Sequence, residues 1–405
     1  MKLSARLLAL LLTVIMLFSL AACSSSGDST PTDGSDTATE ATQAPTSKPT
    51  SKPTARPTEA VVDSSNIKNL IIIIGDGMGL AHINAGQLAE NKEYPFTKWQ
   101  NSVCNTNSIT SSGSEVLTDS AASATALATG PSTINGYVGI DKYGADVNTI
   151  LDLAYLYGKS TGIVTTDYLY GATPAGFSAH CNDRNNSEEI TFSQIESEVN
   201  FLCGLRNDSF YTRYYRNEMD YNEVYYSTDI NDAAIMESEK VFLPVDIENG
   251  KTGAIELKYA SAAALDFLSR NEEGFVLMIE QAYIDKYSHS NDIDNMLYRM
   301  KSLNETVEMV SSWASDRDDT AIIVTADHEC GGFYSSVESM YDSSYNGSNG
   351  PLYYDWTSTN HTQSKVGIYV YGVEVNFSRL SAYNTEARIK NTDVYVLMKN
   401  ILNLR

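Results

Sequence analysis

The sequence predicts an α/β protein: a three-layer sandwich with a mostly parallel central sheet, helices on both faces and insertions at the rim. Short continuous apolar runs alternate with segments of helical periodicity, the pattern of a parallel sheet. Three of these runs, Leu70–Ile74, Phe275–Ile279 and Ala321–Thr325, are closely followed by carboxylates. Because ligands of open α/β sheets bind just beyond the carboxyl ends of the strands, these carboxylates indicate a metal site at one rim.

The predicted elements follow one another along residues 66–405. The predicted strands are apolar runs, namely Leu70–Ile74, Thr161–Thr166, Phe275–Ile279, Ala321–Thr325 and Val366–Tyr371. The predicted helices have caps or apolar residues at helical spacing, and they are Asp119–Ala128, Thr149–Tyr157, Leu257–Arg270, Asp294–Trp313 and Thr392–Leu402. Two segments without a clean period, Asn185–Gly253 and Ser335–Thr359, are predicted to be insertions at the rim.

The chain begins with the features of an export signal, predicted over residues 1–22. A basic start is followed by the apolar stretch Leu7–Leu20, which is too short to favour a membrane-spanning helix. Leu20-Ala21-Ala22-Cys23 resembles a bacterial lipobox, so we expect Cys23 to carry a lipid; ordinary cleavage beside an incidental cysteine is the alternative. The expected location is outside the cytoplasm, with a lipid on Cys23 as the only membrane attachment.

Residues 23–65 are rich in Ser, Thr, Pro and Ala and contain a repeat at 46–53. Such a segment cannot bury enough apolar surface to fold, so we predict a disordered tether ahead of a catalytic domain, residues 66–405. The 405-residue chain has a formal net charge of −23. This acidic balance argues against nucleic acid as a partner, because binding its phosphates needs a basic face.

Several polar residues lie where the predicted strands end or a predicted helix begins. Asp76 is flanked by glycines that let the chain turn sharply, although such an Asp also occurs in structural turns. Ser120 starts the Ala-rich helix, where free N–H groups favour an anion; a plain helix cap is the alternative. Asp285 and His289 are four residues apart, and therefore lie on one face of a helical turn. His82 and His180 have no partner that the sequence identifies, and each is interpreted as structural or exposed.

Six ordered segments of the chain resemble those of alkaline phosphatases: Gly75-Asp76-Gly77-Met78, Thr118–Ala126, Ala172-Thr173-Pro174-Ala175 with Arg184, Glu280 to His289, Val324–His328, and His361-Thr362. The resemblance implies the fold of that family and hydrolysis of small phosphate monoesters through a phosphoserine. It implies Ser120 as the nucleophile, Arg184 as the phosphate ligand and Lys286 as a residue near the phosphate. It also allows a homodimer.

The resemblance implies two zinc sites and one magnesium site. Their ligands would be Asp285, His289 and His361 for one zinc ion, Asp76, Asp327 and His328 for the other, and Asp76, Thr173 and Glu280 for magnesium. One departure concerns the third site. Gly171 stands where family members usually carry Asp or His, so the sequence leaves the identity of the third metal open.

Two other functions remain as alternatives. Phosphodiesterases of the same superfamily commonly use Thr as the nucleophile and lack an arginine equivalent to Arg184; a sulfatase is disfavoured because Ser120 is followed by Ala-Ala-Ser. The second alternative is a non-catalytic surface lipoprotein that captures phosphate or metal.

The four cysteines after Cys23 allow three disulfide connectivities. A bridge between Cys181 and Cys203 is the pairing suggested, and free buried thiols are the alternative.

Overall fold

The computed structural model describes residues 66–338, 340, 343–347, 350–380 and 389–404. The predicted signal peptide, Cys23 and the predicted tether lie outside the described residues. Within these ranges, none of the helices combines the length and the apolar character that a membrane crossing requires.

The strands, in chain order, are β1 (Asn69–Gly75), β2 (Gln100–Asn105), β3 (Ser108–Ile109), β4 (Glu115–Val116), β5 (Ser160–Thr165), β6 (Phe201–Leu205), β7 (Tyr225–Tyr226), β8 (Val241–Val245), β9 (Phe275–Gln281), β10 (Thr320–Thr325), β11 (Glu329–Cys330), β12 (Phe333–Ser336), β13 (Ser343–Gly347), β14 (Gly350–Trp356), β15 (His361–Thr362), β16 (Val366–Tyr371) and β17 (Ile389–Lys390). The helices are α1 (Leu80–Glu90), α2 (Ser120–Thr129), α3 (Ile150–Leu156), α4 (Ala172–Ser178), α5 (Ser187–Glu196), α6 (Arg213–Tyr221), α7 (Leu257–Leu268), α8 (Tyr283–His289), α9 (Ile293–Ala314) and α10 (Asn391–Ile401).

One large sheet organises the fold, with the strand order β17-β2-β16-β10-β1-β9-β5-β6-β8-β7. Neighbouring strands are parallel except at β16, which runs antiparallel to both β10 and β2. In the centre, β1 pairs in parallel with β9 on one side and with β10 on the other. The prediction of a mostly parallel sheet is confirmed, and the carboxyl ends of its three central strands meet at one edge.

Helices cover both faces of this sheet. All seven residues of β9 are buried, so neither face of that strand meets solvent. Helices α7 and α9 pack against each other and against β9, and α3 and α4 form a second packed pair on the same strand. The three-layer prediction is therefore confirmed, and burial on both sides explains why the central strands are continuous apolar runs.

The prediction of an irregular insertion over Asn185–Gly253 is wrong. This segment contains β6, β7 and β8, which extend the large sheet, together with α5 and α6. All residues of β6 and β8 are buried. One residue interrupts the apolar run of each strand, Gly204 in β6 and Pro244 in β8, so at most three consecutive apolar residues stand out from the polar surroundings. Ser335–Thr359, in contrast, contributes to a separate three-stranded antiparallel sheet, β12-β14-β13.

Helix α2 packs unusually close to α4, and this contact positions the start of both helices. A Cβ added to Gly176 of α4 would lie 2.8 Å from Cβ of Ala124. Every residue of α2 is buried, which accounts for its run of alanines and small polar residues. The sequence allows Thr118 or Asp119 as the cap of α2, and Asp119 provides it: its Oδ1 accepts a hydrogen bond of 2.9 Å from the backbone N–H of Ala122.

The cysteine pairing is also corrected. Cys104, Cys181, Cys203 and Cys330 are all free and buried in the described structure. The suggested bridge between Cys181 and Cys203 is therefore wrong, and free buried thiols, the alternative, describe this chain. Cys203 lies inside β6, where its side chain is part of the apolar core.

Candidate metal centre and active site

Ser120 is the first residue of α2, at the edge where the central strands end. Its side chain is largely buried, and Oγ lies 3.1 Å from Nε2 of His328. The free N–H groups and the dipole at the start of α2 favour negative charge on or near this oxygen. The hydroxyl is therefore placed where it can act as a nucleophile towards an anionic group.

Asp76, Asp327 and His328 form the first cluster of metal-ligand side chains, and all three are buried. One ligand atom from each lies within 4.8 Å of the others. Asp327 Oδ1 accepts hydrogen bonds from the N–H groups of Gly77, at 3.1 Å, and His328, at 2.9 Å. These bonds orient the carboxylate so that Oδ2 lies 3.1 Å from His328 Nε2.

Asp285, His289, His361 and Cys330 form the second cluster, again within 4.8 Å of one another. The Nε2 atoms of His289 and His361 lie 3.3 Å and 3.4 Å from the carboxylate of Asp285. Nδ1 of His289 donates to the backbone carbonyl of Thr359 at 2.6 Å, and Nδ1 of His361 donates to the backbone carbonyl of Thr118 at 3.0 Å. Because a carbonyl only accepts, both rings keep Nε2 available for a metal.

Cys330 was missed as a candidate ligand because the sequence argument considered it only for disulfide pairing. It lies opposite His361 in the short ladder of β11 and β15, so both side chains reach the same side. Burial and the nearby charge of Asp285 raise the pKa of its thiol. The sequence did contain a signal for this ligand, because Cys330 stands only two residues after the predicted ligand His328.

Asp76, Thr173 and Glu280 are the ligands predicted for the third site, and all three side chains are buried. Glu280 lies inside β9, one residue before its end, and its Oε2 accepts a hydrogen bond from Oγ1 of Thr165. Burial, and then the charge of Asp167, raise the pKa of Glu280 to about 8. Burial and neighbouring carboxylates also raise the pKa of Asp76 well above its ordinary value.

The hydrogen-bond pattern of these residues fits bound cations. Among the predicted ligands, four buried oxygens have no hydrogen-bond partner in the part of the chain that the structure describes: Asp76 Oδ1, Asp285 Oδ1, Asp327 Oδ2 and Thr173 Oγ1. A buried polar atom without a partner is costly, and a cation at each cluster would satisfy these oxygens. Mixed histidine and carboxylate ligands suit zinc, and an all-oxygen set such as Asp76, Thr173 and Glu280 suits magnesium.

Arg184 reaches the same site from the loop between α4 and α5. Its Nη1 lies 3.0 Å from Asp119 Oδ2, an oxygen that also accepts from the N–H of Gly136 at 2.9 Å. Asp119 therefore caps α2 with one oxygen and holds Arg184 with the other. A cavity of about 430 Å³ is lined by Leu117, Thr118, Ser120, Asn135, Arg184, Asp285, His289, Asn360 and His361.

Lys286 is not among the residues that line this cavity. It pairs instead with Asp167, with 2.5 Å between Nζ and Oδ1. Burial lowers the pKa of the lysine, but the charge of Asp167 and its hydrogen bond outweigh burial, and the net shift is upward. Asp167 was not identified from the sequence.

The other two histidines of the described chain have local partners. His82 is buried, its Nδ1 accepts from the N–H of Gly79 at 3.2 Å, and its Nε2 lies 3.1 Å from Ser288 Oγ. Burial lowers its pKa to about 3. His180 Nδ1 donates to the carbonyl of Gly139 at 2.7 Å. Both residues lie outside the two clusters, as the structural interpretation requires.

Comparison with known proteins assigns the family. The alkaline phosphatase family model matches residues 67–201 and 238–350, more than half of the chain. Alkaline phosphatase 4 of Bacillus subtilis is 31% identical over 292 residues, covering 67% of this chain and 63% of its own length. The match thus spans less than two thirds of that relative. The chain belongs to the alkaline phosphatase family.

Solved structures agree with this assignment. The alkaline phosphatase of the Antarctic bacterium TAB5 is 25% identical, with a TM-score of 0.73 over 84% of this chain and 99% of its own. A mutant of that enzyme with magnesium bound in its M3 site gives 25% identity and a TM-score of 0.72 over the same shares. The large, mostly parallel sheet with its covering helices is therefore the fold of this family.

Proposed function

We propose that this protein is a metal-dependent phosphomonoesterase that forms a phosphoserine on Ser120. The observation that carries the proposal is the cavity in which Ser120, Arg184 and three side chains of the second cluster meet. A nucleophile, a cation for phosphate and a set of metal ligands are the groups that phosphoryl transfer requires. The family assignment supports a phosphoesterase, and the cavity favours a monoester.

The proposed metals are two zinc ions and one magnesium ion. The second cluster would hold one zinc ion through Asp285, His289 and His361, and the first cluster would hold the other through Asp76, Asp327 and His328. Magnesium would take Asp76, Thr173 and Glu280, a proposal supported by the magnesium reported in the M3 site of the TAB5 mutant. When bound, these cations would offset the phosphate charge and make the serine hydroxyl and water more acidic.

In the first half-reaction, Ser120 Oγ attacks phosphorus, and the bond between phosphorus and the leaving alcohol breaks. The start of α2 stabilises negative charge at Oγ because its N–H groups point towards this end of the helix. Arg184 binds the phosphate through the guanidinium N–H groups that Asp119 does not use, and a planar fork of this kind can contact two oxygens. Water then hydrolyses the phosphoserine and restores Ser120.

A monoester fits this arrangement better than a diester. A monoester dianion presents three non-bridging oxygens, enough for the Arg184 fork and for the two metal clusters. A diester replaces one of these oxygens with an esterified one, which carries less charge and brings a second substituent towards Arg184. We therefore expect the p-nitrophenyl monoester to be hydrolysed much faster than the bis-p-nitrophenyl diester.

The test uses the full chain supplied with zinc and magnesium at alkaline pH. We expect release of phosphate from p-nitrophenyl phosphate, and loss of this activity by several orders of magnitude in Ser120→Ala. Ser261→Ala is a matched control, since Ser261 is a buried helical serine of α7, outside the cavity. Equal rates for wild type and Ser120→Ala, or a faster reaction with the diester, would contradict the proposal.

We also propose that the protein is exported and held at the membrane by a lipid on Cys23, with small phosphate monoesters as substrates. Support comes from the lipobox-like Leu20–Cys23 and from the polar segment that follows it. Cys23→Ser should release the phosphatase from the membrane fraction without changing its turnover. Retention of this variant on membranes would contradict lipid anchoring.

A further inference from the structure

Asp167 occupies the space that a side chain at position 171 would fill. A Cβ added to Gly171 would lie 2.7 Å from Asp167 Oδ2 and 2.9 Å from the carbonyl oxygen of Tyr168. The backbone at Gly171, with φ −59° and ψ 157°, is open to any residue. Glycine is therefore required here for space, and the space is taken by a carboxylate from four residues earlier in the chain.

The loop after β5 holds Asp167 firmly. Its carbonyl accepts a hydrogen bond of 2.7 Å from the N–H of Leu205 in β6, and its own N–H donates to Oγ1 of Thr165 at 2.9 Å. The same Thr165 hydroxyl donates to Glu280 Oε2. One threonine therefore links the backbone of Asp167 to a carboxylate of the third predicted site.

The two oxygens of Asp167 have different neighbours. Oδ2 lies against Gly171, two residues before Thr173, and Oδ1 lies 2.5 Å from Nζ of Lys286. Lys286 follows Asp285 on α8, so this ion pair also connects the loop to the helix of the second cluster. Asp167 thus joins the loop before Thr173 to the helix that carries Asp285.

The charge balance of this region favours a bound cation. Asp167 and Glu280 lie on either side of Thr165, whose hydroxyl bonds the N–H of the first and Oε2 of the second. Lys286 pairs with only one of them. Placing a further carboxylate beside a buried one is unfavourable unless positive charge offsets it, and a divalent cation would do so.

We propose that Asp167 is the positioning residue of the third metal site, and that from the β5–α4 loop it replaces the side chain that Gly171 lacks. This inference rests on the proposed function for the presence of the third cation.

Magnesium binding by the full-length, zinc-loaded protein tests this role without relying on activity. Equilibrium dialysis against magnesium, followed by metal analysis, gives the affinity of each variant. We expect Asp167→Ala and Asp167→Asn to weaken magnesium binding by about tenfold or more while two zinc ions are retained, since groups that orient metal ligands typically contribute this much. Asp246→Ala is the matched control, because Asp246 forms an Asp–Lys pair with Lys251 at 2.6 Å elsewhere in the chain.

A relocation experiment separates positioning from general stability. In wild type, Gly171→Ala should displace the Asp167 carboxylate and weaken magnesium binding; in the Asp167→Ala background it should cause no further loss. Asp167→Ala combined with Gly171→Asp should regain magnesium affinity, because it returns a carboxylate to the same space.

Wild-type magnesium affinity in both Asp167 variants would overturn the inference. So would an equal loss in Asp246→Ala, because the effect would then not be specific to this site. The failure of the proposed function has a different signature: no phosphate release by wild type, whatever its magnesium affinity. The two claims can therefore fail separately.

Discussion

Ser120 Oγ and His328 Nε2 lie 3.1 Å apart although their residues are 208 positions apart in the chain. The contact exists because β10 ends just before His328 and α2 begins at Ser120, at the same edge of the sheet. Ser120, the proposed nucleophile, is thus held beside a metal-ligand cluster by the strand order, and the clusters bring together segments that are distant in sequence.

Arg184 is expected to contribute to substrate binding more than to stability. Arg184→Ala should lower kcat/KM for p-nitrophenyl phosphate by about 10²-fold, the range for losing one preorganised donor to a charged oxygen. Arg184→Lys should recover little, since an ammonium group cannot contact two oxygens as a fork. Steady-state kinetics and thermal unfolding separate the two effects. A large loss of unfolding temperature with unchanged kcat/KM would contradict this assignment.

Asp119 is expected to act through Arg184 and through the cap of α2. Asp119→Asn keeps an acceptor for Ala122 but weakens the ion pair at 3.0 Å, so KM should rise with little loss of stability. Asp119→Ala should add a stability loss of about 1 kcal/mol from the missing cap. Denaturant unfolding and kinetics on both variants check this difference, and identical behaviour of Asn and Ala would argue against it.

The second cluster is expected to depend on His361. His361→Ala should lower the bound zinc from two ions per chain to one and lower the unfolding temperature of the zinc-loaded protein, because a bound metal stabilises the folded state. His180→Ala serves as control, since His180 bonds Gly139 and lies outside both clusters. Metal analysis after gel filtration gives the zinc content, and equal zinc loss in both variants would contradict the assignment.

The stability of the metal-free protein is expected to fall with rising pH because of Glu280. Burial and the charge of Asp167 raise the pKa of Glu280 from 4.5 to about 8. Between these values the folded chain holds a proton that the unfolded chain releases, so the contribution is complete below about pH 4.5 and is lost as pH rises through 8. Glu280→Gln should flatten this part of the unfolding curve.

The stabilisation of the folded protein by magnesium should increase with pH, because magnesium binds the ionised carboxylate and competes with the proton. Thermal unfolding of wild type from pH 4.5 to 9, with and without magnesium, checks both trends. We expect the increase in unfolding temperature caused by magnesium to grow as pH rises through about 8, and to be small in Glu280→Gln. A stabilisation by magnesium that is independent of pH and equal in the variant would contradict the third site.

The close approach of α2 and α4 is expected to be essential for stability. Gly176→Ala gains about 1 kcal/mol of helix propensity but adds a Cβ at 2.8 Å from Cβ of Ala124. Overpacking typically costs about 1–3 kcal/mol, and Gly176→Val should make this cost dominate. We expect a lower free energy of unfolding for the Val variant. Wild-type stability would show that the helices can separate without cost.

The sequence was sufficient for the central strands and for six of the seven side chains that form the two clusters. Apolar runs buried on both faces are visible as such. Asp76, Asp327 and His328 follow the ends of β1 and β10, and Asp285 and His289 lie on α8, whereas Thr173 lies on α4.

The short strands β6 and β8 were missed because Gly204 and Pro244 interrupt their apolar runs. Asp167 was missed because its role depends on the space beside Gly171, which spacing along the chain does not express. Cys330 was missed because it was considered only for disulfide pairing, although it stands two residues after His328.

The most direct test of the central claim is detection of phosphate on Ser120. The full-length protein with zinc and magnesium is mixed with p-nitrophenyl phosphate, quenched in acid, digested and examined by peptide mass spectrometry. The account predicts phosphate on the peptide that contains Ser120, at that residue, and none in Ser120→Ala. Turnover without any phosphorylated Ser120, or phosphate on another residue that forms and decays at the rate of turnover, would contradict it.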